Sequence, residues 1–180
     1  MKRNIKSRSV AFGGMIAALS IGIMMLTGAV TVLIYSTPII VGLLLTLIVI
    51  EIGKKWALLV YIAVSVLSLL FVAEKEAAII YVAFFGYYPI LKPILENIKL
   101  RPIEWMLKFL IFNVSVVSAY YVLINFFGIK ISSESFTFET MALILLVLGN
   151  VLFLVYDIAF TRLVSVYIKI WRKHVHKFLK

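Results

Sequence analysis

The chain has 180 residues, 64% of them hydrophobic and only 14% charged, with a net charge of +10 and no cysteine. Its mean hydropathy of +1.12 lies far outside the soluble range, since a globular core of this size could bury only part of so much apolar sequence. A soluble enzyme and a nucleic-acid-binding domain are thereby set aside, and the missing cysteines remove disulfides, thiolate metal sites and thiol nucleophiles.

Apolar runs bounded by charges, prolines or polar clusters fall at 10–34, 39–52, 56–73, 77–91, 104–127 and 140–165. They predict an all-α, polytopic integral membrane protein: one domain over 1–180 forming a six-helix transmembrane bundle. Two of the runs, 39–52 and 77–91, are shorter than the ~20 residues of a perpendicular crossing. With the N-terminus inside, sixteen of the eighteen Lys and Arg fall on the inner side and only Lys75 and Lys130 outside. Basic residues near span ends stay in the cytoplasm, so the asymmetry predicts six crossings of a bacterial-type cytoplasmic (inner) membrane with both termini cytoplasmic. The excess charge is explained by topology, without a nucleic-acid partner.

The basic stretch Met1–Arg8 resembles the start of a secretory signal, but the apolar run behind it is too long, so it is read as a retained first helix. That helix carries Gly14, Ala18 and Gly22 four residues apart, with Gly13 and Ala17 alongside. In lipid, such a smooth face lets another helix approach closely, either within the chain or from a separate subunit.

In the fourth run, Tyr81, Phe84, Phe85, Tyr87 and Tyr88 surround Gly86 and Pro89. They read either as an interfacial aromatic belt or packing, or as the wall of a site for a flat ligand. Tyr120, Tyr121 and Asn125 at the outer end of the fifth run, with Asn150 nearer the middle of the sixth and Tyr35 before Pro38, are the polar groups available for an externally reached site. Asp157 is the conspicuous ionisable residue of the last span. At the helical rise it lies roughly 25 Å below the outer entry, in the inner third of the membrane, and needs a partner there. Lys92 and Lys108 lie at comparable depth, and an ion pair with either would fix helices four to six.

The inner layer also carries Glu51 with Lys55, Lys92 with Glu96 and Glu104 with Lys108 at helical i,i+4 spacing. The segment 92–102, with Pro93 and Pro102, is the longest inner loop and a surface for a cytoplasmic partner. In the tail 166–180, Val166, Ile170 and Trp171 share one side, with Lys169, Arg172, Lys173 and Lys177 around them, a pattern suited to an anionic leaflet. His174 and His176 are not spaced to share a helical face, so no metal site is expected. The outer loops hold Glu74, Glu76, Glu134 and Glu139 against Lys75 and Lys130, which favours a neutral, zwitterionic or cationic solute over a multiply charged anion. No Walker A loop, HExxH or G-x-S-x-G is present, so neither catalysis nor a cofactor is expected.

The basic N-terminus followed by Ala11-Phe-Gly-Gly-Met-Ile-Ala17-Ala18-Leu19-Ser20-Ile-Gly22, in a six-span chain of this size, resembles the substrate-binding S component of energy-coupling factor (ECF) transporters. The resemblance implies a subunit that captures a vitamin-like micronutrient on the outer side, without ATPase activity of its own, in a pocket with which Tyr35, Tyr81, Tyr121, Asn125 and Asn150 are compatible by depth and polarity. It also implies that Gly14, Ala18 and Gly22 dock a transmembrane coupling subunit worked by two ATPases. A second class is a small membrane scaffold similar to the rod-shape protein MreD or to sporulation membrane proteins, binding other proteins through its inner loop and basic tail.

Overall fold

The computed structural model describes residues 2–29, 33–127 and 138–171, and among these every regular element is helical. The side chains of 2–6, 138–145 and 171 lie outside the description, as do Lys130, Glu134, His174, His176 and the rest of the tail beyond 171. Six helices are long and apolar enough to cross a membrane: Ser7–Gly28, Leu33–Glu51, Lys54–Phe71, Lys75–Leu95, Arg101–Phe127 and Leu146–Ile170. These are the features of a multi-pass membrane protein. The chain divides into two compact units, Met1–Lys99 and Leu100–Lys180.

The first unit opens with α1 (Lys2–Met25), which runs into a 3₁₀ turn at Leu26–Ala29. Helix α2 (Leu33–Glu51) follows, so the second span is already under way at 33 and does not wait for 39 as the hydropathy suggested. The expected break at Pro38 does not occur. Proline forfeits only the bond to the carbonyl four residues back, and Thr37 Oγ1 adds a donor to the Leu33 carbonyl, at 2.9 Å, in the same turn. Helix α2 ends where the amides of Ile52 and Gly53 both reach the Ile48 carbonyl. Gly53 then takes φ +117°, a conformation open to glycine and closed to almost every other residue.

Helix α3 (Lys54–Phe71) turns inward its Ala57, Val60, Val64, Ser65 and Ser68. The fourth crossing is interrupted: α4 (Lys75–Ile80), a π-helical turn at Tyr81–Phe85, then α5 (Tyr88–Leu95). It extends beyond the expected 77–91 because Lys92, taken as a boundary charge, is buried within the helix. Ile16, Met24, Val41, Leu45, Ile48, Ala57, Val60, Val64 and Tyr81 form the core of the unit.

The second unit is an antiparallel pair, α6 (Arg101–Phe127) and α7 (Phe138–Val166), the latter closing in a π turn at Tyr167–Trp171. Its register is fixed by Phe112 stacked on Phe153, with centroids 4.7 Å apart, and by Phe109 set edge-on to the same ring. The Phe112 ring lies over Gly149 of α7, where a Cβ would stand 3.6 Å from it, in ordinary contact. At the standard rise α6 is about 40 Å long, more than the ~30 Å of hydrocarbon it would cross, an excess that tilt absorbs.

Both units reverse the soluble pattern. Leu59, Leu70, Leu110, Val114, Val151 and Leu152 are among many large aliphatics fully open at the surface, a surface that lipid suits and water does not. Buried hydroxyls bond back to their own helices: Thr27 to the Met24 carbonyl, Thr46 to Gly42, Ser68 to Ser65 and Ser115 to Ile111. These bonds give buried hydroxyls a partner inside the helix itself.

Candidate functional site

Three arrangements carry chemistry: a smooth face on α1, a buried ion cluster on α6 and α7, and the polar groups once expected to line an outer site.

Along α1, Ser9, Gly13, Ile16, Ser20 and Met24 recur every three or four residues and face inward. A Cβ on Gly13 would stand 3.2 Å from Val60 Cγ2, so this glycine sets the close approach of α1 to α3. Gly14, Ala18 and Gly22 lie beside that stripe and are exposed, and a Cβ on either glycine would meet nothing within 4 Å. Met15, Leu19 and Met25 flank them, also exposed. The two glycines of the Gly13-Gly14 pair thus do different work: one packs the helix on its own unit, the other belongs to an uncovered face.

In the second unit, Lys108 Nζ donates to Asp157 Oδ2 at 2.9 Å and pairs with Glu104 Oε1 at 2.8 Å. It also stands 5.0 Å from the centre of the Trp105 ring. Lys108 and Asp157 are each only 2% exposed. One ammonium is shared by two carboxylates, and removing it would take a cation from two negative charges, which costs far more than the pair contributes net. Of the two lysines considered for Asp157, Lys108 is the one in its own unit and reaches it there. Lys92 lies in the first unit, bonded to Glu96 at 2.9 Å and 5.9 Å from the Tyr88 ring centre.

Two turns from the ion cluster, Asn113 and Asn150 exchange amide hydrogen bonds of 3.0 and 2.9 Å. Each also donates to the carbonyl four residues back in its own helix, Phe109 and Leu146 respectively. All four amide hydrogens are therefore consumed, and Asn150 has no donor to offer a solute. Sequence reasoning named Asn150 but missed Asn113. The signal was present, since an antiparallel register that joins Lys108 to Asp157 also places 113 opposite 150.

The other outer-site candidates are dispersed. Tyr121 is 65% exposed, and Asn125 spends one amide hydrogen on the Tyr121 carbonyl. Asn125 stands twelve residues along α6 from Asn113, about 18 Å by helical rise, so Asn125 and Asn150 do not share a site. In the first unit, Tyr35 donates to Glu76 Oε1 at 2.7 Å, tying the start of α2 to the start of α4. Tyr81 is fully buried in the core, sealed from solvent where outside access was expected, and its hydroxyl has no partner among the described residues. Its neighbours Phe84 and Tyr88 are buried too and stack on each other at 4.7 Å. The aromatics of the fourth span are interior packing around a broken helix, and an interfacial belt does not describe them.

Basic residues gather at one end of each unit. Helix direction alternates, so Arg8, Lys54, Lys55 and Lys99 share an end of the first unit, opposite Lys75. Lys75 is occupied there, capping α3 through the carbonyls of Leu69 and Val72. In the second unit Arg101 and Arg162 share the end nearer the ion cluster.

No family model matches the chain, and neither a curated protein nor a solved structure does.

Proposed function

We propose that the chain is a non-catalytic membrane subunit that docks a second membrane protein through the exposed face of α1, and that it serves as the capture subunit of an ATP-driven micronutrient importer. One observation carries this reading. Gly14, Ala18 and Gly22 form a smooth strip with open space above it, while the same helix satisfies its own unit through a different set of residues. Small residues in lipid are worth most where a backbone can come close, and here that capacity is unspent.

In this reading both termini and the basic ends of the units face the cytoplasm, in the inner membrane of a bacterial-type cell. The partner is the transmembrane coupling subunit, driven by separate ATPases, and the cargo is neutral, zwitterionic or cationic. The test is co-purification in mild detergent. Ala18→Leu should abolish recovery of the coupling subunit and ATPases while the chain stays folded, and an unchanged yield of complex would overturn the docking role.

A scaffold of the MreD type is favoured by a different observation: Asn150 is saturated by Asn113, and Tyr121 and Asn125 lie well away from it along the hairpin. Cell-wall or cytoskeletal proteins recovered without any ATPase would select this second reading.

A further inference from the structure

The break between α2 and α3 leaves two adjacent lysines at the entrance to a span. Gly53, at φ +117°, separates Glu51, the last residue of α2, from Lys54 and Lys55, the first of α3. Spacing alone pairs Glu51 with Lys55 across one helical turn, but that turn is the one the glycine interrupts. Both lysines are exposed, and neither side chain forms an ion pair or hydrogen bond with a described residue. Glu96, the other acid at this end of the first unit, pairs with Lys92 at 2.9 Å.

The neighbouring helix gives the depth. Sequence apolar enough for a crossing begins at Lys54 in α3 and at Ser7 in α1. The two helices run the same way, and Gly13 of α1 stands against Val60 of α3. Five residues back from each are Arg8 and Lys55, which therefore lie at one level. Arg8 is exposed as well. Arg8, Lys54 and Lys55 thus stand where hydrocarbon gives way to headgroups.

Further along α3 the surface is apolar. Lys55 is followed at helical spacing by Leu58, Leu59, Ile62 and Val66 on one face, and these aliphatics are 46%, 58%, 49% and 52% exposed. From Lys55 to Val66 the rise is about 16 Å, close to half of the ~30 Å of hydrocarbon in a bilayer. The strip has the length of one acyl chain in one leaflet, with cations at its headgroup end. A soluble anion would use the lysines and leave the strip bare. A phospholipid uses both, and its phosphate brings the negative charge that Lys54 and Lys55 do not receive from the described residues.

We propose that Arg8, Lys54 and Lys55 hold the phosphate of an anionic phospholipid, with one acyl chain lying along Leu58, Leu59, Ile62 and Val66. The site lies within the first unit and does not depend on what the chain docks or transports.

Native mass spectrometry of the full chain in detergent tests this, with phosphatidylglycerol and phosphatidylcholine of the same acyl chains offered in equal amounts. The unaltered chain should retain phosphatidylglycerol in preference. Lys54→Gln with Lys55→Gln should reduce that preference by about tenfold, because each lysine at headgroup level adds several-fold to the binding of anionic lipid. Lys99→Gln with Lys169→Gln removes the same charge from exposed positions outside α3 and should leave the preference unchanged. Equal retention of both lipids by the unaltered chain overturns the site, and so does an equal loss in the two double variants. Excess inorganic phosphate should not displace the lipid; displacement would reveal a site for a free anion and overturn the proposal.

Discussion

The two units solve the same problem by different means. Residues 1–99 are held by close approach: Gly13 against Val60, Gly42 against the Phe85 carbonyl, Gly86 against two tyrosine rings, with the Thr46 and Ser68 hydroxyls bonded inside their own helices. The hairpin of α6 and α7 is held by polar groups reaching across, Lys108 to Asp157 and Asn113 to Asn150, with stacked phenylalanines between them. In lipid the hydrophobic drive between helices is absent, so tight packing and interhelical hydrogen bonds are the two resources left. Four crossings can surround a common core and use the first. Within the hairpin of α6 and α7 the second is what joins helix to helix.

That contrast can be broken most sharply at Lys108. Lys108→Leu leaves Asp157 and Glu104 without their cation in a buried setting, and should cost about 3–5 kcal/mol of stability. Adding Asp157→Leu should recover most of the loss, since replacing a whole buried pair by apolar residues is often neutral. Thermal unfolding in detergent measures both variants, and a double variant no better than the single would mean the ion cluster does not act as a unit.

Next in size is Gly42→Ala, in the unit built on close approach. A methyl group 2.5 Å from a backbone oxygen cannot be accommodated by a side-chain shift, so a loss of about 2 kcal/mol is expected. A neutral outcome would show that α2 and the fourth span separate freely. Asn150→Leu should be smaller, about 1 kcal/mol, because polar pairs between membrane helices are individually modest. Gly14→Ala stands at the other extreme. With nothing near its Cβ it should leave stability unchanged or raise it by up to about 1 kcal/mol through reduced backbone freedom. Gly13→Ala, one residue away, should be the less favourable of the two, because Val60 has to yield.

The sequence carries the helical class and six apolar crossings openly, because hydropathy over about twenty residues reports directly on what lipid accepts. It also points to the ion cluster, since Asp157 in an apolar span requires a cation at its own depth. Boundaries were harder wherever a residue's usual role was suspended. Pro38 lies inside a helix it was expected to end, and Lys92 is buried where it was expected to mark a surface. The fourth span was hardest. Nothing in its composition distinguishes aromatics at an interface from aromatics around a π turn, because the difference lies in Tyr61, twenty-one residues upstream, and in Gly42 on another helix. The small-residue face was legible as a pattern. Which of its glycines packs inward could be read only from the neighbours.

Every functional reading rests on alternate ends of successive helices lying on opposite sides of a bilayer, with the basic ends in the cytoplasm. Single cysteines at exposed Ala73 and exposed Asn97 test this directly, through labelling of intact cells with a membrane-impermeant maleimide. The thiol at 73 should be labelled from outside, and the thiol at 97 only after the membrane is opened. Labelling of 97 in intact cells with 73 protected, or of both together, would contradict the account.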